Sequence, residues 1–125
     1  MLKKRILVID DDQSILDLIS AALVTDFEMR TLSICPDVFE ALENIKPDLL
    51  ILDLKLPGSD GYAICQKLRL HHAFSSLPVI LLTGVDLNAV KHNYKKVAAD
   101  DFLLKPFDPA TLVQKVENLF SASAG

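Results

Sequence analysis

The polar residues able to do chemistry stand at the ends of apolar runs. Leu49-Leu50-Ile51-Leu52 ends on Asp53, and Ile6-Leu7-Val8-Ile9 ends on Asp10-Asp11-Asp12. Val79-Ile80-Leu81-Leu82 ends on Thr83, and Phe102-Leu103-Leu104 ends on Lys105. Carboxylates gathered in one place repel, so they share a proton or hold a cation. Oxygen ligands suit a hard divalent ion, and Mg²⁺ takes one or two carboxylates with phosphate oxygen and water. A lysine supplies a positive charge fitted to a phosphate oxygen, and a threonine hydroxyl or a backbone N–H can donate hydrogen bonds. Acids, Mg²⁺, Lys105 and Thr83 together read as a phosphoryl-transfer site. Asp53 stands apart from the acid run and is the candidate nucleophile, as carboxylates are in other aspartyl-phosphate chemistry.

Taken singly, each feature has a plainer reading. A run of aspartates usually caps a helix. A threonine after a strand is usually a turn residue, and Lys-Pro is usually a surface turn. The functional reading rests on all four groups falling at the same end of one sheet.

The elements that place them there follow from periodicity. Leu49–Leu52 has no alternation, which fits a strand buried on both faces. Such a strand presents a charge only where it leaves the sheet, and the cluster Pro57-Gly58-Ser59-Asp60-Gly61 that follows is a turn. Between the apolar runs lie helical stretches. One spans about Gln13 to Val24, with Ile15, Ile19, Ala22 and Leu23 on one face. A short one reaches Ile45, with Pro36 near its first position. Another reaches about His71 and buries Ile64, Cys65 and Leu68. A fourth covers about Leu87 to Val97. The last starts at Asp108-Pro109 and buries Leu112, Val113, Val116, Leu119 and Phe120. Glu28 to Ile34 alternates loosely and reads as an edge strand. Five strand–helix units in alternation imply a parallel sheet with helices on both faces. Ligands of such a sheet bind at the carboxyl ends of its strands. No GxGxxG follows the first strand, so a dinucleotide fold is not indicated.

A chain of 125 residues, 50% hydrophobic and 24% charged, is one folded domain. A net charge of −4 does not point to nonspecific nucleic-acid binding. The apolar stretch after Lys3-Lys4-Arg5 is too short for a signal peptide or a membrane span, so a cytoplasmic location is expected. Cys35 and Cys65 lack a CxxC or framework spacing and read as reduced thiols. The small polar residues 121–125 read as a flexible tail, a linker stub or an expression remnant behind a domain of residues 1–120.

With these residues in order, the sequence resembles the receiver (response-regulator) domains of bacterial two-component signalling over essentially its whole length. The resemblance is carried by Ile6–Asp12, by Leu52-Asp53-Leu54-Lys55-Leu56-Pro57-Gly58-Ser59-Asp60-Gly61, by Pro78–Gly84 and by Ala98–Phe107. It implies a single CheY-like, flavodoxin-like (βα)5 domain with strand order 2-1-3-4-5. It implies that Asp53 is the phosphoacceptor, charged by a phosphohistidine on a sensor histidine kinase or a phosphotransfer protein. Asp11 would be the direct Mg²⁺ ligand beside the Asp53 carboxylate and the Lys55 backbone carbonyl, with Asp10 completing the acidic pocket indirectly. Lys105 would neutralise the phosphoryl group. Thr83 would swing to bond it, and Phe102 would rotate inward as the switch aromatic. The Lys105-Pro106 bond would be cis. A phosphorylation-dependent homodimer through the last two strand–helix units is implied by family analogy alone.

The sequence departs from that pattern in three places. Phe102 stands where tyrosine is common, so its signal rests on packing. Gly84 stands where alanine is usual, which loosens that loop. Ala98 stands where glycine is usual. None removes a catalytic group.

His71, His72 and His92 read as surface histidines, and Lys91, Lys95 and Lys96 as a solvated helix face. Lys55, two residues past the acceptor, is expected to slow hydrolysis of the aspartyl phosphate by crowding the attacking water. Two rival readings exist. Asp10-Asp11-Asp12 contains the D-x-D of haloacid-dehalogenase-type phosphatases, but Ser14 departs from the usual Thr or Val there, and 125 residues leave no room for a cap segment. An interaction module that is never phosphorylated is the other, and the intact site argues against it. A free-standing receiver, a phosphorelay intermediate and a receiver within a DNA-binding regulator, a hybrid kinase or a cyclic-nucleotide enzyme would share this pattern.

Overall fold

A computed structural model describes residues 2–84 and 99–124 of the chain. The five strands of the main sheet are β1 (Arg5–Ile9), β2 (Glu28–Leu32), β3 (Leu49–Asp53), β4 (Val79–Thr83) and β5 (Asp101–Leu104). All their pairings are parallel, and their order is β2-β1-β3-β4-β5, as expected. The central strands read as continuous apolar runs because both of their faces are covered. Every residue of β3 and β4 is buried.

The two-residue period of a strand divides the core in two. Leu7, Ile9, Leu50, Leu52, Val79, Leu81 and Phe102 point to one face, where α2 (Val38–Ile45) and α3 (Gly61–Leu70) cover them. Ile6, Val8, Leu49, Ile51, Ile80, Leu82 and Leu103 point to the other, under α1 (Gln13–Leu23) and α4 (Pro109–Ala124). The helix expected over about Leu87–Val97, together with Lys91, His92, Lys95, Lys96 and Ala98, lies outside the described residues.

The local details refine the expected elements. Ile19 and Leu23 of α1 are buried as expected and Leu16 joins them, while Ile15 and Ala22 pack partly buried against the same cluster. Pro36 does not occupy the first turn of α2. It precedes the cap, which is Asp37, whose side chain accepts from Glu40 N–H at 3.2 Å. Lys46 ends α2 in the left-handed region, at φ 54, which satisfies the pre-proline restriction by leaving the right-handed helix. Residues 121–124 continue α4. Alanine and serine do not break a helix, and Phe120 anchors the preceding turn by stacking on Phe27 at 5.4 Å between ring centroids.

The turn after Asp53 contains more structure than its composition shows. Lys55–Leu56 pairs antiparallel with Ser59–Asp60 around Pro57-Gly58. Gly58 has φ +72, the conformation a type II turn demands of the residue after its proline. Asp60 then caps α3 by accepting from Tyr62 N–H at 2.9 Å. At the opposite end of α3, Arg69 ties the helix to Asp100 at 2.8 Å, and the same Asp100 oxygen accepts Val79 N–H at 2.8 Å. That link sets the start of β4 against the approach to β5.

Candidate functional site: an acidic cluster with one lysine

The parallel register brings the polar strand ends together. Asp53 ends β3 opposite Leu82, and the next N–H, of Leu54, donates to Leu82 O at 2.8 Å. Thr83 ends β4 opposite Leu104, and Lys105 N–H donates to Thr83 O at 2.6 Å. Asp10 follows β1 and donates its N–H to Leu32 O at 3.2 Å. Strand alternation then sorts the side chains. Asp53 continues the Leu49–Ile51 row, Lys105 the Leu103 row and Asp10 the Ile6–Val8 row, all toward the α1/α4 side. Thr83 continues the Val79–Leu81 row and so shares the other face with Phe102.

On that first side Lys105 Nζ stands 2.7 Å from Asp10 Oδ2 and 3.6 Å from Asp53 Oδ2. One carboxylate oxygen each from Asp10, Asp11 and Asp53 lies within 4.8 Å of the others. Asp10 is fully buried, Asp53 is 7% exposed and Thr83 is 1% exposed, whereas Asp11 faces solvent. The run of three aspartates splits by role. Asp12 is the cap of α1, accepting from Ser14 N–H at 2.9 Å and Ser14 O–H at 2.6 Å, and those bonds hold its carboxyl below the usual range. Asp10 and Asp11 belong to the cluster.

Burial raises the Asp53 carboxyl above the ordinary carboxylate range. The charge of Asp10 adds to the rise, and Lys105 and the Lys55 N–H, at 3.3 Å, oppose it. For Lys105, burial is the largest single influence and lowers the ammonium. The hydrogen bond to Asp10 and the charges of Asp53 and Asp10 together outweigh it, so the group is raised and stays charged. One ammonium against three neighbouring carboxylates leaves surplus negative charge on an all-oxygen donor set with an open side at Asp11. That set fits a hard divalent cation such as Mg²⁺.

The remaining expected residues are placed as follows. Lys55 opens the hairpin beside Asp53 with its side chain exposed. Phe102 is already turned inward, at 6% exposure, with its ring centroid 6.5 Å from that of Tyr62. The Lys105-Pro106 bond is cis. His71 and His72 stack on each other at 5.0 Å, and the His71 ring accepts Ala73 N–H at 3.1 Å. Among the described residues, the acidic cluster is the one group with metal-binding composition and spacing. Cys65 is buried and its thiol is pushed up to about 11, and Cys35 is also raised by burial, so neither is a reactive thiolate.

Sequence reasoning missed what Gly61 does. Its N–H donates to Leu54 O at 2.8 Å, and a Cβ there would lie 2.9 Å from Leu54 Cα and 3.2 Å from Asp53 O. The Asp-Gly signal marks a turn, and nothing in it shows that the glycine sits against the backbone of Asp53 and Leu54. Gly61→Ala is expected to cost about 1–3 kcal/mol, the usual scale for overpacking against unyielding atoms. Urea unfolding measures the loss.

The fold is a parallel α/β sheet with acids and a lysine gathered at the carboxyl ends of its strands. The chain belongs to the response regulator receiver domain family, whose model matches residues 6–117. It is 37% identical over 117 residues to the regulatory protein VanR of Enterococcus faecium, covering 90% of this chain and 48% of VanR. It is 39% identical over 124 residues to RpaA of Synechocystis sp., a DNA-binding dual master transcriptional regulator, covering 92% of this chain and 48% of RpaA. The chain thus spans about half the length of the curated relatives it matches. Among solved structures, a response regulator from Chloroflexus aurantiacus matches with a TM-score of 0.86 at 32% identity, covering 95% of this chain and 98% of that one. The signal receiver domain of a histidine kinase from Syntrophus aciditrophicus matches with a TM-score of 0.84 at 28% identity, covering 95% and 91%. No described helix is long and apolar enough to cross a membrane.

Proposed function

We propose that Asp53 is the residue phosphorylated in this receiver and that it takes the group from a phosphohistidine of a sensor histidine kinase or phosphotransfer protein. The observation that carries this is the position of Asp53, buried at the end of β3, 3.6 Å from Lys105 and within the acid cluster. An Asp53 carboxylate oxygen attacks phosphorus, the P–N bond breaks, and the histidine leaves as imidazole. Water later releases inorganic phosphate and restores the carboxylate. Beyond this self-directed chemistry the domain is a signalling module and not a turnover enzyme.

Asp11 and Asp53, with the Lys55 carbonyl and indirectly Asp10, would hold Mg²⁺, whose charge offsets that of the phosphoryl oxygens. Lys105 stands ready as their counter-charge, since its ammonium already bridges Asp10 and Asp53. Thr83 closes on the phosphoryl group from the opposite face, and Phe102, its neighbour there, carries the change into packing. The site would operate in the cytoplasm and signal to an output domain or partner, with phosphorylation-driven homodimerisation as one route. Relatives such as RpaA are named as DNA-binding regulators. The acidic residues here are assigned no DNA contact, in keeping with a net charge of −4.

Incubation with Mg²⁺ and a small acyl phosphate, followed by intact mass measurement, tests this. One added phosphoryl group that a chelator prevents is the expected result. Continuous phosphate release without an adduct would support a phosphatase, and no reaction would support an interaction module. Lys55→Ala is expected to shorten the phosphoryl lifetime several-fold by opening the approach of water. An unchanged lifetime would remove that role from Lys55.

A further inference from the structure

We propose that Tyr62 is a positioning residue of the switch: its ring holds Phe102 in the buried arrangement and, through Gly61, ties that arrangement to the backbone of Asp53. The proposal rests on Asp53 being the phosphoacceptor and adds a second route away from it. Phe102 is buried although it lies on the outermost strand of the sheet, β5. Its ring meets that of Tyr62 at 6.5 Å between centroids with the planes inclined by 54°, within the range of tilted aromatic pairs. Tyr62 stands on the first turn of α3 and is half-buried.

The residue before it has no slack against the acceptor. Gly61 is bonded to Leu54 O at 2.8 Å, and its Cα leaves no room for a methyl group beside the 53–54 backbone. Asp53 Oδ1 accepts the Lys55 N–H at 3.3 Å, so added charge and bulk on the carboxylate act on this same turn. A shift of the turn finds no gap to absorb it at Gly61 and passes to the first turn of α3. There it moves the Tyr62 ring on Phe102. Thr83 on β4 shares the sheet face of Phe102, and Tyr62 meets its ring from α3. Because Phe102 has no hydroxyl, ring contacts carry its state, and Tyr62 brings that state to the surface.

The chain has two tyrosines and no tryptophan, so a Tyr94→Phe protein reports on Tyr62 alone. Beryllofluoride, a phosphoryl mimic, is titrated with Mg²⁺ while the near-ultraviolet circular dichroism of that tyrosine and the melting temperature are followed. The expected result is a tyrosine signal that changes with the midpoint of beryllofluoride binding. Tyr62→Ala is expected to weaken that binding by about three- to tenfold, the scale of one aromatic pair, and Tyr62→Phe to restore it. Tyr62→Leu keeps the core covered and serves if the alanine variant does not fold. A tyrosine signal that stays unchanged at saturating beryllofluoride would overturn the proposal. So would Tyr62→Ala and Tyr62→Leu binding as tightly as the parent, or Tyr62→Phe losing as much as they do. Failure of the parent protein to bind beryllofluoride would instead count against Asp53 as phosphoacceptor and remove the basis of this inference with it.

Discussion

Asp53→Asn is expected to end phosphoryl uptake and, in Mg²⁺-free buffer at neutral pH, to make the protein more stable. The loss of uptake follows because an amide oxygen is not a nucleophile toward phosphorus under these conditions. The gain in stability follows from the electrostatics of the cluster. Burial and the charge of Asp10 raise the Asp53 carboxyl in the folded protein. Between its ordinary value and the raised one, the folded state therefore binds more protons than the unfolded state. Stability falls as pH rises through that window, and the whole cost is present at neutral pH. Asparagine removes the charge while keeping the shape. A gain of about 1 kcal/mol is expected, within the range that single relieving substitutions reach. The difference should shrink as pH falls toward the ordinary carboxylate range, where Asp53 is protonated in both states. It should also shrink on adding Mg²⁺, which would bind the carboxylates of the parent and stabilise it by mass action. Thermal melts across pH, with and without Mg²⁺, read all three effects. A variant less stable than the parent at neutral pH would show that Lys105 more than compensates Asp53, and would reverse this reading of the cluster.

What was legible in the sequence follows from where structure is dictated locally. Leu49–Asp53 could be read because a strand covered on both faces leaves its charge only at the exit, and Asp53 is indeed its last residue. The approach of Lys105 to Asp10, 95 residues away, was legible only as a rule about parallel strand ends. The 2.7 Å pairing itself depends on alternation carrying both side chains to the α1/α4 side. From sequence the hairpin at 55–60 reads as a plain turn, because two paired residues on each arm are too few to show a period. The Tyr62–Phe102 contact spans 40 positions and depends on the rotation of α3 over the sheet, which no local pattern of Gly61–Leu70 fixes. The clearance at Gly61 belongs to the same class. The Arg69–Asp100 pair, which joins α3 to the approach to β5, links residues 31 positions apart and leaves no local pattern either. The residues of the cluster could thus be found from the sequence, whereas those that tie the cluster to the rest of the fold could not.

Lys105→Ala is expected to destabilise the protein by about 2–4 kcal/mol, the largest stability loss of any substitution at the site. The reason is what it leaves behind. Asp10 is fully buried and keeps the Asp12 N–H at 2.9 Å on one oxygen, but the other loses its ammonium. Asp53 loses its nearest positive charge at 3.6 Å while Asp10 and Asp11 remain close by. The estimate lies below that for a fully enclosed pair because the Lys105 side chain is 22% exposed, so water can enter where it stood. The pH dependence separates this mechanism from simple loss of packing. In the parent, the raised Lys105 contributes stability that is fully present below the ordinary lysine value and is lost only as pH rises through the raised one, so at neutral pH it is intact. In the variant the penalty comes from crowded negative charge, so the deficit should narrow as pH falls toward the ordinary carboxylate range, where Asp53 takes up a proton. Mg²⁺ is the sharper discriminator. If the lysine and the metal neutralise the same carboxylates, Mg²⁺ should raise the melting temperature of Lys105→Ala by more than it raises that of the parent, because the ion then supplies charge that nothing else provides. Lys105→Met, which keeps most of the side-chain volume, should behave like the alanine variant in both respects. Equal Mg²⁺ responses in the parent and both variants would mean that Lys105 acts on Asp10 alone and leaves the charge balance of the metal site untouched.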